Sequence, residues 1–128
     1  ITVFGKKKVL DFTYVDDCVE GIVRGIEYLA QARPESHTIN LAYGQGQSLL
    51  DMATYVGNAL GIEPNITLEG PRVGEVTHYI ANIGKARALL GYNPTTPLEE
   101  GIGKAVRWMH QWEAAREKAP VGSARQVS

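Results

Sequence analysis

A single cysteine, Cys18, stands in 128 residues, so no internal disulfide can form; that usage fits a reducing cytoplasm. No histidine lies close to it in sequence to activate it, which makes it a buried structural thiol rather than a nucleophile. Charge of either sign is not in excess. Thirteen Lys and Arg face fourteen Asp and Glu, which argues against nucleic acid or an anionic membrane as partner, and the short run Lys6 to Lys8 does not reverse that. No apolar run approaches the length of a membrane span and no signal peptide pattern is visible, so a soluble, cytoplasmic protein is expected. His37, His78 and His110 stand far apart and no His/Cys group has zinc spacing, so no metal is expected.

The phosphate loops are missing too. A dinucleotide fold needs a glycine-rich turn that lets backbone amides reach a pyrophosphate, yet YGQGQS has two glycines and Leu49 where a third would stand. GIGKA, residues 101–105, lacks the first glycine of a P-loop and the Ser or Thr after Lys104. None of the six tyrosines has a lysine four positions later. Hydride chemistry has no visible home in this chain. Neither is there an initiating Met: ITVFG begins as though already inside a strand, which reads as truncation or processing.

What is present alternates between two periods. Val9 to Val15 is rich in β-branched and aromatic residues and reads as a strand. Val19, Ile22, Val23, Ile26 and Leu29 then recur at helical spacing, predicting a helix over 17–32 closed by Pro34. Asp17 is placed to cap that helix, with Glu20 reaching back to it. A short strand at 1–4 precedes them. His37 to Ala42 reads as a buried strand, and Gly44 and Gly46 turn the chain into a helix over 48–60, capped by Ser48 and stopped by Gly61. A strand is predicted over Ile66 to Glu69, and a short helix from Asn82 to Gly91. Thr96, Pro97 and Glu99 open a last helix with a capping box and an early proline, and its apolar stripe is Leu98, Ile102, Val106, Met109 and Trp112. Residues 1–119 therefore read as one α/β unit of short strands and about four helices, and the small, polar residues 120–128 as a disordered tail.

Taken in order, ITVFG, DFTYVDDCVEGI, TINLAYGQGQSLLDMA, PRVGE followed by Tyr79, ANIGKARALLGYNP and TTPLEEGIGKAVRWM resemble the C-terminal half of NAD-dependent nucleotide-sugar epimerases and dehydratases, in the extended short-chain dehydrogenase/reductase family. The likeness runs from residue 1 to about 112. It implies the C-terminal substrate-binding portion of an extended Rossmann-type epimerase, incomplete without an N-terminal nucleotide-binding domain that carries the glycine loop, the catalytic tyrosine and lysine, and the NAD. No catalytic or NAD-binding residue is therefore expected here, and the aspartates of the YVDD junction are expected to be mainly architectural.

The resemblance also implies a substrate site. Backbone groups of Thr2 and Phe4 would meet a pyrimidine base, although an ordinary strand edge explains those residues equally well. Arg72 matches the arginine that clamps the diphosphate, a task suited to the planar fork of a guanidinium. Glu75 stands where an aspartate commonly accepts from the ribose hydroxyls, and Tyr79 at a position that can face the sugar. Leu10 departs from the pattern, since many relatives have there an arginine giving a second diphosphate contact, and its loss would weaken phosphate binding by about 1.5–3 kcal/mol unless Lys6, Lys7 or Lys8 substitutes. Epimerisation of a UDP-sugar ranks above dehydration or decarboxylation. A stand-alone, non-catalytic binding or assembly module is the reading from a different class. Alone, helices left without their sheet would expose an apolar face, so the isolated chain is expected to be a homo-oligomer or marginally stable.

Overall fold

The computed structural model describes residues 1–31 and 36–118. The expected helix end at 32, its closure by Pro34 and the tail at 120–128 lie outside the described residues.

Five short strands form two small sheets. β1 (Thr2–Phe4) pairs in parallel with β4 (Thr67–Glu69), Val3 opposite Leu68. β2 (Val9–Asp11) lies between β3 (Gly46–Ser48), antiparallel to it, and β5 (His78–Tyr79), parallel to it. Leu10 is thereby flanked by Gln47 and Tyr79. The strand predicted over 9–15 stops at Asp11, because the chain needs residues 12–14 to leave the sheet and enter α1 (Val15–Gln31).

α1 begins two residues before the predicted start, and Asp17 does not cap it. The carboxylate is buried and accepts from the amides of Thr95 (3.2 Å) and Thr96 (3.0 Å), while Glu20 takes the Nε of Arg24 at 2.8 Å. The first helical bond runs from the Cys18 amide to the Tyr14 carbonyl. A capping carboxylate satisfies amides that water could also reach, whereas those of Thr95 and Thr96 are part-buried or buried, and the more costly pair of donors wins. The expected architectural role is met, at a different place.

α2 (Leu49–Leu60) follows its local chemistry closely. Ser48 Oγ accepts from the Asp51 amide at 3.0 Å, Asp51 reaches back to the Ser48 amide, and Gly61 closes the helix at φ 69° in the left-handed region. α3 (Gly84–Leu90) starts one residue late, with Ile83 as cap residue. Asn82 Oδ1 still receives the Gly84 amide at 2.8 Å, and Gly91 ends the helix at φ 60°. α4 (Leu98–Lys118) lies against α2 with Leu98, Ile102 and Val106 half-buried. Its stripe does not stay buried. Met109 and Trp112 are exposed, with Trp112 stacked on Trp108 (6.3 Å between ring centroids) and covered by Arg116.

His37 to Ala42 is not a strand. Ile39 and Leu41 are half-buried while Thr38 and Asn40 are exposed, so the period of two is present, but no described strand pairs with the segment. The core is small: Val3, Ala42, Ala53, Ile83, Ala86 and Tyr92. Along α1 the apolar face that the helical spacing predicts looks outward, with Val15, Val19, Ile22, Val23, Ile26 and Leu29 between 44% and 63% exposed. No described helix is long and apolar enough to cross a membrane.

Candidate functional site

The site forms where the turn after β1 meets the loop between β4 and β5. Gly5 has φ +81°, a conformation open to glycine, and its amide extends the β1–β4 ladder by bonding the Glu69 carbonyl at 3.0 Å. A side chain at 5 would also meet Pro71, so the two segments approach closely here. Lys8 closes the turn through its amide (3.0 Å to the Gly5 carbonyl), while its carbonyl accepts from Leu49 at the start of α2.

Two side-chain contacts fasten the facing loop to this turn. The Arg72 guanidinium lies over the Phe4 ring, its Cζ 3.8 Å from the centroid, a cation–π arrangement that leaves the edges of the fork available for an anion. Lys8 Nζ donates to Glu75 Oε1 in an ion pair whose side chains are 13% and 28% exposed. The hydrogen bond from Lys8 holds the Glu75 carboxyl below the usual carboxylate range, partial burial opposes this, and the Lys8 and Arg72 charges add to the lowering. Within the loop the Glu75 amide bonds the Arg72 carbonyl at 3.2 Å, with Gly74 at φ +79°.

Thr2, Phe4, Lys8 and Glu75 line a largely apolar cavity of about 230 Å³, backed by Met52 and Val56 of α2. β1 pairs with β4 alone among the described strands, so its other edge offers unpaired backbone groups. Four of the five expected site residues thus converge: Thr2, Phe4 and Glu75 at the cavity, and Arg72 on Phe4. Tyr79 does not line it. It sits in the other sheet beside Leu10, more than half exposed. Of the three consecutive lysines only Lys8 enters the site, and its ammonium is committed to Glu75.

A further carboxylate organises the surroundings and carries no local signal. Asp11 Oδ1 accepts from the Tyr43 amide at 3.1 Å, and Oδ2 from Gly44 at 3.0 Å and Ala81 at 3.1 Å, tying two separate segments to β2. The sequence pointed to Asp16 and Asp17 instead, because the partners of Asp11 lie 32 to 70 residues away.

The YGQGQS turn offers a dinucleotide no seat. A Cβ at Gly46 would fall 2.5 Å from Val9 Cγ1 and 2.8 Å from Ile80 Cδ1, so the space that a glycine frees is filled by side chains. The N-terminus of α2 already carries the Asp51 carboxylate, which would repel a pyrophosphate. The residues present do not fit NAD.

No family model matches the chain. It is 28% identical over 110 residues to an uncharacterized UDP-glucose epimerase of Bacillus subtilis, covering 85% of this chain and 34% of that protein. To the dTDP-L-rhamnose 4-epimerase of Burkholderia thailandensis it is 32% identical over 103 residues, 79% of this chain and 27% of the relative. The crystal structure of the Bacillus cereus UDP-glucuronic acid 4-epimerase in complex with UDP-glucuronic acid and NAD superposes with a TM-score of 0.75 at 29% identity, over 87% of this chain and 35% of that one. The chain is similar in sequence and in fold to part of the nucleotide-sugar epimerases. It spans about a third of the length of the epimerases it matches, and its α/β fold is that of their C-terminal portion. The likeness carried by ITVFG, PRVGE and the other segments is therefore borne out at the level of family and fold.

Proposed function

We propose that this chain forms the nucleotide-sugar wall of a UDP-sugar 4-epimerase, and that alone it binds without catalysing. The observation that carries the reading is the meeting of Glu75 with Lys8 at the cavity and of Arg72 with Phe4, a residue that lines it, from segments more than sixty residues apart. Arg72 takes the diphosphate by two charge-assisted bonds, Glu75 accepts from the ribose, and the free edge of β1 at Thr2 and Phe4 meets the base. Tyr79 keeps the sugar-facing role that the resemblance gives it, from the neighbouring sheet. NAD belongs to the remaining length of the whole protein, as do the base and acid that epimerisation requires. Calorimetric titration of the chain with UDP tests the clamp. Arg72→Ala is expected to weaken binding by about 10- to 100-fold, the worth of one charge-assisted pair. Unchanged affinity overturns the assignment.

A second reading concerns assembly, and the outward apolar face of α1 favours it. An exposed stripe from Val15 to Leu29, beside the segment 36–42 that pairs with no described strand, is a surface of the kind that associates. The isolated chain is a homo-oligomer in this reading. Dilute size-exclusion chromatography with Val19→Lys/Ile26→Lys tests it: the variant elutes as monomer where the parent chain does not, and a monomeric parent chain refutes it.

A further inference from the structure

The ion pair at the cavity joins one carboxylate to one of two nearby cations. Glu75 and Arg72 lie on the same tight loop turn, amide to carbonyl, and the charge of Arg72 is felt at Glu75. A glutamate so placed is a natural partner for that guanidinium. Yet among the described residues Arg72 has no carboxylate partner; its guanidinium is on Phe4, and the acid is taken by Lys8. Lys8 is well placed to keep it. Its backbone is fixed at both ends, by the turn to Gly5 and by the bond from Leu49, and its side chain is the more buried of the pair.

We propose that Lys8 is a positioning residue for anion binding: by holding Glu75 it keeps that carboxylate off Arg72 and leaves the guanidinium free for a diphosphate. The proposal rests on the diphosphate reading of Arg72 and assigns Lys8 a role distinct from touching the ligand. The physical logic is competition. An internal carboxylate on the same turn has a high effective concentration, so an unrestrained Glu75 occupies the fork that a phosphate from solution must enter. Lys8 removes the competitor without adding a second anion-binding arm.

Three variants of the full chain, titrated with UDP, separate the possibilities. Lys8→Met is expected to weaken binding about tenfold, the scale of one charge-assisted bond diverted from the ligand. Lys8→Arg restores it. Decisive is the comparison of Lys8→Met with Lys8→Met/Glu75→Gln titrated with inorganic pyrophosphate, which carries no ribose for Glu75 to meet: in the double variant the competitor has lost its charge, and affinity for this probe returns to within about twofold of the parent chain's, since an uncharged amide no longer competes for the guanidinium. A double variant as weak as Lys8→Met overturns the proposal, because Lys8 then acts on the ligand directly or only props the turn; so does a Lys8→Met chain that binds normally. Far-UV circular dichroism confirms the fold, and should Lys8→Met unfold, Lys8→Gln with and without Glu75→Gln gives the same comparison. If the parent chain itself does not bind UDP, the diphosphate reading fails and takes this proposal with it. If Arg72→Ala abolishes binding while the Lys8 series is flat, the Lys8 proposal alone fails.

Discussion

Removing the Asp11 carboxylate should detach two segments at once. In Asp11→Ala the amides of Tyr43, Gly44 and Ala81 lose their acceptor. Tyr43 retains the Thr13 hydroxyl at 3.1 Å, so two amides are stranded outright. A hydrogen bond to a charged group contributes about 1.5–3 kcal/mol, and because the site is only part-buried, water recovers some of the loss. The lower bound for two bonds, about 3 kcal/mol, is therefore the expected destabilisation. That is a large share of the ~5–15 kcal/mol by which domains are stable. Asp11→Asn should lose less, since its carbonyl oxygen can take the place of Oδ2 and accept from both Gly44 and Ala81, leaving its NH2 toward Tyr43, whose amide keeps the Thr13 hydroxyl. Urea unfolding at fixed protein concentration measures the loss, and amide hydrogen exchange localises it: protection should fall at residues 44 and 81 and less at 43. A loss under about 1 kcal/mol for Asp11→Ala, below the net worth of even one such bond, would refute the reasoning. Unchanged exchange at 44 and 81 would do the same.

Two glycines in helices should respond with opposite signs to the same change. Gly25→Ala in α1, where an added Cβ meets nothing within 4 Å, should stabilise by about 0.5–1 kcal/mol through helix propensity alone. Gly57→Ala in α2 gains the same propensity, but its Cβ would fall 2.6 Å from Pro64 Cδ and 2.8 Å from the Ile62 carbonyl oxygen, and overpacking of about 1–3 kcal/mol should outweigh the gain. Thermal unfolding of both decides it; a stabilised Gly57→Ala shows the 57–64 contact to be soft. Tyr92→Phe removes a hydroxyl that is buried without a hydrogen-bond partner among the described residues and should stabilise by about 1 kcal/mol at neutral pH. Burial, followed by the charge of Asp17, pushes the Tyr92 phenol up to about 12 from 10.0. The neutral form is thus favoured by folding: its contribution is complete below pH 10 and is lost as pH rises toward 12, a decline in urea midpoint that Tyr92→Phe should lack. Equal alkaline slopes for the two proteins would refute this assignment.

What the sequence made legible was chemistry completed within about four residues. The Ser48–Asp51 box, the left-handed Gly61 and Gly91, and the register of α2 all close locally and stand where the pattern puts them. Failures share the opposite property. Asp17 was given a helix end because nothing near it in sequence announces the amides at Thr95 and Thr96, 78 and 79 residues on. Residues 37–42 have strand composition and strand periodicity, but a strand is a relation to a neighbour, and among the described residues that neighbour is absent. At the site, the resemblance brought Phe4, Arg72 and Glu75 to attention, and the structure sets them together. It could not single out Lys8, since three identical lysines stand in a row and only the closure of the turn onto Gly5 distinguishes the third.

The carboxylates divide by the kind of partner each has, and the division separates framework from site. Asp11 and Asp17 are satisfied by five main-chain amides, at residues 43, 44, 81, 95 and 96, whose positions are fixed by the fold and cannot change without moving the chain. Glu75 is satisfied by the ammonium of Lys8, carried on a stem of four rotatable bonds. Exchanging an amide partner means unmaking local backbone structure, whereas exchanging an ammonium means rotating a side chain. The Glu75 side chain can therefore change partner at small conformational cost, while the two aspartates preserve the geometry around it. The acids that the fold cannot release are Asp11 and Asp17; the one it can release faces the cavity.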